Sequence, residues 1–235
     1  MSRAILMLLA VMAALLVVAS GIAVARTING DNRANTLRGT DKKDTIKGRG
    51  GNDKIYGKKG NDRLVGGRGK DAVYGSYGND ILLGGPNPDI IKGGSDYDVL
   101  IGGPGPDKLY GQDDGDEING GKGNDEMYAG AGHPLYWNDL SDNEGDDTYH
   151  AGPDQDAMTD YSTTSDGTYI VGRDFGRVDV TDAGGSDVLD LTLYSRSEVT
   201  SRETSGSTHT IVLNDGSRVT IRYYTSFGYV IVRFG

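Results

Sequence analysis

Cysteine is absent from this chain of 235 residues, so neither a disulfide nor a thiolate metal site can form. The aromatic residues that usually fill a large core are scarce, with three phenylalanines and one tryptophan. Outside the N-terminal apolar segment, no stretch has the periodicity of an amphipathic helix. These absences argue against an ordinary packed core, and they make a bound metal the obvious substitute for a covalent staple.

The motifs of common hydrolases are also missing. The chain has three histidines (His133, His150 and His209) and contains neither H-E-x-x-H nor G-x-S-x-G. No part of it outside the repeats described below is long enough for a usual catalytic domain. The sequence therefore predicts that the protein is not an enzyme.

What the chain has instead is a nine-residue repeat between Gly39 and Tyr128. Each of ten consecutive copies contains a glycine, an aspartate five residues later, and an apolar side chain two residues after the aspartate. Three features locked to one short period indicate a repeat architecture rather than a conventional domain. Residues 27–38 follow the same register with Asn35 at the aspartate position, and we interpret them as a degenerate N-terminal cap.

One repeat cannot bury its apolar face alone. In Ala72-Val73-Tyr74 only the middle side chain points inward, because side chains alternate across a strand. Two repeats that run in opposite directions can face each other, which gives a turn of eighteen residues and a stacking distance of about 4.8 Å. The predicted fold is all-β: a flattened parallel β-solenoid with two sheets.

Stacking of such turns places the aspartates in two columns, one along each edge. Carboxylates about 5 Å apart repel by about 3 kcal/mol per neighbouring pair at an effective dielectric constant near 20. A cation between turns reverses the sign of that interaction. Carboxylate and carbonyl oxygens favour a hard ion, and flexible loops with six or more oxygens suit Ca²⁺ better than Mg²⁺.

Segments such as Gly66-Gly-Arg-Gly-Lys-Asp-Ala-Val-Tyr74 and Gly120-Gly-Lys-Gly-Asn-Asp-Glu-Met-Tyr128 resemble the RTX, or haemolysin-type, calcium-binding nonapeptide. The resemblance covers residues 27–132. It implies a parallel β-roll with two nonapeptides per turn and several Ca²⁺ ions between turns, held by motif aspartates and turn carbonyls.

Carried onto this sequence, the resemblance implies ten aspartate ligands: Asp53, Asp62, Asp71, Asp80, Asp89, Asp98, Asp107, Asp116, Asp125 and, more weakly, Asp44. Asp44 is the weaker ligand because Lys42 and Lys43 precede it and its repeat lacks the second glycine. The implied carbonyl ligands are those of Gly48, Gly50, Gly57, Gly66, Gly69, Gly75, Gly78, Gly84, Gly93, Gly102, Gly105, Gly111, Gly120 and Gly123.

The N-terminus has the layout of an export signal. A basic start at Arg3 leads into an apolar run that closes on Ala23-Val24-Ala25. We predict cleavage after Ala25 and a secreted, extracellular mature chain without a membrane span. An uncleaved signal anchor is the alternative, since the run is long enough to cross a bilayer.

Beyond residue 132 the nine-residue register disappears. Residues 133–190 hold fourteen acidic residues against two arginines, and the sequence predicts an acidic flexible linker over 133–167. Residues 168–235 are predicted to form a small β-rich C-terminal cap. Within it, Ile211–Leu213 and Arg218–Ile221 resemble the arms of a hairpin, and Tyr229–Phe234 a closing strand.

The composition suggests partners other than nucleic acid. The net charge is −10, yet eleven of the basic residues lie between Arg38 and Lys70. Such a patch can bind anionic cell-surface or matrix polymers, or can simply relieve repulsion from the carboxylate columns. We expect a calcium-binding extracellular scaffold of structural or adhesive type. A non-catalytic accessory or degenerate relative of a secreted hydrolase is the alternative, and an ice-binding solenoid is disfavoured because the outward strand positions are chemically mixed.

Overall fold

The computed structural model describes residues 24–132, 138–142, 144–153, 155–161, 166–172, 177–182, 186–205, 207–223 and 229–235. The predicted export signal, residues 1–25, lies outside the described residues except for its last two positions. In the described part of the chain, no helix has the length and apolar character needed to cross a bilayer. Apart from a 3-10 turn at Arg196–Glu198, the described elements are strands, and the predicted all-β class is confirmed.

The strands are, in chain order: β1 (Thr27–Asn29), β2 (Thr36–Arg38), β3 (Thr45–Gly50), β4 (Lys54–Lys59), β5 (Arg63–Arg68), β6 (Ala72–Tyr77), β7 (Ile81–Leu83), β8 (Ile90–Ser95), β9 (Val99–Pro104), β10 (Lys108–Asp113), β11 (Glu117–Lys122), β12 (Glu126–Ala131), β13 (Asn138–Asp142), β14 (Thr148–His150), β15 (Gln155–Asp160), β16 (Thr168–Ile170), β17 (Arg177–Asp182), β18 (Ser186–Leu191), β19 (Val199–Ser205), β20 (Thr208–Leu213), β21 (Arg218–Tyr223) and β22 (Tyr229–Phe234).

These strands alternate between two sheets, as the sequence predicts for a flattened solenoid. One sheet has the order β1-β3-β5-β7-β9-β11-β13-β15-β17-β21-β20-β19, and the other β2-β4-β6-β8-β10-β12-β14-β16-β18-β22. Within the repeats, neighbouring strands are parallel and offset by one coil, so that Ile46 pairs with Leu64 and Leu64 with Leu82. The predicted eighteen-residue turn is therefore confirmed.

The core lies between the two sheets. The ten apolar repeat positions are 0% exposed, and they continue through Leu140, Tyr149, Met158 and Tyr169 into the C-terminal part. Each repeat contributes one such residue, and stacked coils join them into one continuous core. Apart from the ten aspartates, which are buried, the charged and polar residues of the repeats lie on the outer faces and in the turns.

Most repeat strands are longer than the sequence suggests, with six residues instead of three. In β5, Leu64 and Gly66 are both buried and Arg63 is exposed, so each repeat has two inward positions. The second inward position is occupied by the first glycine of the next repeat. A larger residue there would collide with the neighbouring coil. The chain turns just after this glycine, where Gly67 and Gly69 have φ of +109° and +122°.

The acidic segment is not a linker. The described residues of 133–167 include the strands β13, β14 and β15. β13 and β14 pair in parallel with the repeat strands, Ile118 with Leu140 and Met127 with Tyr149, and β15 pairs in parallel with β13. That expectation is corrected by the structure. Leu140 and Tyr149 occupy the apolar positions of further coils, so hydrophobic stacking continues past the recognisable repeat.

The C-terminal residues likewise extend the two sheets. The predicted hairpin is present as β20 and β21, which pair antiparallel with Ile211 opposite Val219. The predicted closing strand is β22, and it pairs in parallel with β18 on the other sheet. The 168–235 segment is thus β-rich, and its strands are hydrogen-bonded in series with those of the repeats.

Candidate metal centre

Ten buried aspartates form two columns, one at each edge of the roll. The N–H of Asp53 donates to Oδ1 of Asp71 at 2.7 Å, and the N–H of Asp71 donates to Oδ1 of Asp89 at 2.7 Å. The same bond, always eighteen residues apart, links the members of the other column, as in Asp62 and Asp80 at 2.6 Å. All ten residues are 3% exposed or less. The two columns that the sequence predicts are therefore present.

The second carboxylate oxygen is different from the first. Within the described residues, Oδ2 is buried and accepts no hydrogen bond in Asp53, Asp62, Asp71, Asp80, Asp89, Asp98, Asp107 and Asp125. A buried polar atom without a partner is costly, and in native proteins it calls for a specific explanation. Repetition of the same orphaned oxygen at eight sites indicates a built feature.

Glycine makes room for these oxygens. A Cβ on Gly66 would stand 2.5 Å from Oδ2 of Asp71 and 2.6 Å from the carbonyl oxygen of Gly84 in the next coil. Both distances are shorter than real Cβ contacts. The first glycine of each repeat thus allows a carboxylate and a backbone carbonyl to approach each other beside its Cα.

Burial and like charge shift the ionisation of the columns. Desolvation raises the pKa of Asp80, Asp89 and Asp98 to about 8, against which the backbone hydrogen bond acts, while neighbouring aspartates add to the rise. For Asp62 the same causes raise the pKa to about 6. The pKa is about 7 for Asp107, Asp116 and Asp125. Each carboxylate column is thus unfavourable in its ionised form unless positive charge is nearby.

Asp44 is an exception within its column. Its Oδ1 accepts the N–H of Arg26 at 2.5 Å, and its Oδ2 accepts the N–H of Thr40 at 2.5 Å and the Thr40 hydroxyl at 3.0 Å. Thr40 stands where most other repeats have their second glycine. Both oxygens of Asp44 are therefore already satisfied, a physical reason for a weaker metal ligand that the sequence argument did not include.

The glycine carbonyls fall into two groups. One group borders the carboxylates, as Gly84 does with Asp71: Gly57, Gly66, Gly75, Gly84, Gly93, Gly102, Gly111 and Gly120, with Gly48 beside Asn35 instead of an aspartate. The other group lies in the outer turns: Gly69, Gly78, Gly105 and Gly123, all with positive φ, and Gly50 at the end of β3. There the carbonyls stack on the next turn, as Gly105 does 2.7 Å from the Cβ position of Gly123.

Further column members escaped the sequence argument, among them Asp147 and Asp156. Asp147 continues one column, because its Oδ1 accepts the N–H of Asp125 at 2.7 Å across twenty-two residues. In the other column Asn138 takes the next aspartate position after Asp116, and Asp156, which is 0% exposed, follows one coil later. The signal was present in the sequence: both aspartates have a core residue two positions later, Tyr149 and Met158. The two aspartates were missed because the coil from Asp125 to Asp147 has twenty-two residues instead of eighteen, which breaks the nine-residue spacing.

The donors are all oxygen, most of the carboxylates have raised pKa values, and eight carry a buried oxygen without a partner. This set fits a hard divalent cation. Comparison with known families agrees: the model for the RTX calcium-binding nonapeptide repeat matches four times, at residues 29–64, 56–91, 83–116 and 101–134. The chain carries RTX repeats. The resemblance found in the sequence is confirmed, whereas no curated protein matches the chain significantly.

The match to the RTX repeat over residues 29–134 accounts for the two glycine-bordered columns. The family is a calcium-binding one, and the matched residues coincide with the coils in which the columns are regular. The match ends at residue 134, although the stacked coils continue to β22. The RTX segment therefore makes up the N-terminal half of a longer roll.

Proposed function

We propose that this RTX protein is an exported scaffold whose roll folds on Ca²⁺. The observation that carries the proposal is the row of buried, unpartnered Oδ2 atoms, which from Asp53 to Asp107 lie beside a glycine carbonyl of the next coil. Bound calcium supplies the positive charge that lets these carboxylates ionise inside the roll. Extracellular calcium modules bind at about 10⁻⁴–10⁻³ M, which keeps such a chain unfolded before export and folded after it.

The ligands in this proposal are the column aspartates and the first-glycine carbonyls. Asp53, Asp62, Asp71, Asp80, Asp89, Asp98, Asp107, Asp116 and Asp125 would hold the ions, and Asp44 would contribute least. Gly57, Gly66, Gly75, Gly84, Gly93, Gly102, Gly111 and Gly120 place carbonyl oxygens next to those carboxylates. The turn carbonyls of Gly69, Gly78, Gly105 and Gly123 would supply further oxygen ligands from the turns.

The surface supports an adhesive role toward anionic polymers. In the described residues, the ion pairs involve Lys108, Lys122, His150, Arg177 and Arg222, none of which belongs to the basic segment between Arg38 and Lys70. In β4, Lys54, Lys58 and Lys59 are exposed. Their charges are thus available to a partner instead of being used to neutralise nearby acids. We propose that the calcium-stiffened roll presents this face to cell-surface or matrix polyanions and performs no catalysis.

Calcium titration of the chain from Arg26 tests the first half of the proposal. The expected result is a sharp fall in hydrodynamic radius at a calcium concentration between about 10⁻⁴ and 10⁻³ M. The same concentration of Mg²⁺ should have little effect on the radius. A radius that does not change with calcium would refute folding on the ion. An equal response to Mg²⁺ would refute the ligand argument.

Retention on an immobilised anionic polysaccharide tests the second half. We expect retention in calcium that falls steeply with salt and is lost when Lys54, Lys58 and Lys59 are changed to glutamine. Lys108→Gln and Lys122→Gln serve as controls, because these lysines already pair with Glu126 and Glu144. Equal loss in both sets, or no retention of the unaltered protein, would contradict adhesion through the basic face.

A further inference from the structure

The first coil beyond the RTX match has an unusual inward residue. Ser141 pairs with Asn119, so Asp142 follows at the position where the preceding coil has Gly120. The side chain of Asp142 is 0% exposed, and its Oδ2 lies against Cα of Gly120, where a Cβ could not fit. A carboxylate therefore stands at the position where all ten repeats have their first glycine.

Three carboxylates converge at this place. One oxygen from each of Asp125, Asp142 and Asp147 lies within 4.8 Å of the others, and the three residues are 2%, 0% and 1% exposed. They come from different segments: the residue before β12, the end of β13 and the residue before β14. Among the described residues, no lysine, arginine or histidine forms an ion pair with Asp125 or Asp147.

A second, independent feature points to a ligand. The hydroxyl of Tyr149 is buried and has no hydrogen-bond partner among the described residues, and the same holds for Oδ2 of Asp147. The unpartnered Oδ2 belongs to Asp147, a member of the carboxylate cluster, and Tyr149 follows it two residues later in β14. Buried oxygens without a partner are the groups that a bound cation satisfies.

We propose that Asp125, Asp142 and Asp147 form a separate calcium site, built from side chains, that fastens the C-terminal coils to the RTX roll. The site differs from those of the repeats because three carboxylates converge on it. Affinity for calcium rises with the number of charged ligands, so this site fills before the repeat sites. It takes two ligands from outside the RTX match, and it would exist even if the repeat columns bound no calcium.

Calcium binding to the full chain from Arg26, measured by equilibrium dialysis and titration calorimetry, tests this site. The unaltered protein should show one ion in a tight class, followed by weaker binding to the repeats. In Asp142→Gly, which restores the residue typical of the repeats, and in Asp142→Asn, which keeps its shape, affinity for that one ion should fall by about tenfold or more. Asp146→Asn is the matched control, since Asp146 is exposed in the same turn and its asparagine keeps an acceptor for the N–H of Asp166.

Thermal melting gives a second readout that a purely structural role for Asp142 would not produce. At saturating calcium, Asp142→Gly should melt below the unaltered protein. In chelator at acidic pH it should melt no lower, because the carboxyl groups are protonated there and no ion links Asp142 to the other two. A tight ion that survives in either Asp142 variant overturns the proposal, and so does a loss of the tight class in Asp146→Asn. The calorimetric titration also measures the weaker calcium binding to the repeats. A failure of the proposed repeat sites would therefore be distinguished from a failure of the site at Asp142.

Discussion

Oδ1 of Asp89 accepts a hydrogen bond from the N–H of Asp71 at 2.7 Å, and both carboxylates are at most 3% exposed. Each of these two aspartates thus uses one oxygen to hold the backbone of the preceding coil and keeps the other for a different partner. The arrangement ties coil stacking to ionisation, because the group that fixes the register also carries the charge that destabilises it. The predictions below follow from this double role.

Removing one column charge should raise the calcium requirement for folding. Asp71→Asn keeps an oxygen for the N–H of Asp53 but loses the negative charge, so the calcium concentration at the folding midpoint should rise by about threefold to tenfold. Asp44→Asn should have a much smaller effect, since both oxygens of Asp44 already accept hydrogen bonds. Circular dichroism during calcium titration measures both, and equal shifts would show that the two sites do not differ.

Acidification should replace calcium in part. Because burial raises the pKa values of Asp80, Asp89 and Asp98 to about 8, the folded roll binds protons more tightly than the unfolded chain. In chelator, stability should be greatest below about pH 4, the unfolded pKa of aspartate, and should be lost as the pH rises through about 8. Melting in chelator across this range measures it, and greater stability at alkaline pH would contradict the account.

The opposite dependence is expected for calcium affinity. Ionised carboxylates bind calcium and protonated ones do not, so affinity should increase between about pH 6 and pH 8. Titration calorimetry at several pH values should also detect proton release on binding in this window. Binding that is independent of pH would mean that the column carboxylates are not the ligands.

A methyl group at a column glycine should disrupt the roll. In Gly66→Ala, the added Cβ would meet Asp71 Oδ2 at 2.5 Å and the Gly84 carbonyl at 2.6 Å, and we expect a loss of about 1–3 kcal/mol in the free energy of unfolding. Gly172→Ala is the matched control, because among the described residues no atom other than those of its chain neighbours lies within 4 Å of its Cβ position. Its effect should stay within about 0.5 kcal/mol. Both variants are measured by denaturation at saturating calcium. Equal losses of unfolding free energy in the two would contradict the claim that the Gly66 position has no room for a side chain.

Stacked tyrosines on the outer face should stabilise neighbouring coils. The rings of Tyr56 and Tyr74 have centroids 5.0 Å apart and planes 9° apart. A double-mutant cycle with Tyr56→Leu and Tyr74→Leu should give a coupling free energy of about 0.5–1.5 kcal/mol. Tyr77, which is 59% exposed, provides the comparison when paired with Tyr56. Coupling as large for that pair would show that ring stacking is not the source.

Much of the structure of the RTX segment could be predicted from the sequence because every coil repeats the same contacts. A fixed spacing of glycine, aspartate and apolar residue determines which side chains share a column once the coil length is known. The buried glycine position was missed because alternation was followed for three residues only. Leu64 and Gly66 show that it extends to the next glycine, where the missing side chain leaves room for Asp71.

The C-terminal coils were harder to predict because the number of residues per coil changes, although the strands still stack in register. Coil contacts depend on strands and inward residues, so a longer turn is tolerated while the register of Tyr149 on Met127 is kept. Asp147 and Tyr149 retain the two-residue spacing of the repeat. Acidic composition suggested a linker there, but burial of Tyr149 and Tyr169 in successive coils supplies the core that the composition does not indicate.

Circular dichroism of the chain from Arg26 in excess chelator at neutral pH tests the central claim, that divalent ions make the carboxylate columns tolerable. The account predicts that the β spectrum and the cooperative melting transition are lost in chelator and return on addition of Ca²⁺. A full β spectrum with cooperative melting in chelator at neutral pH would contradict it.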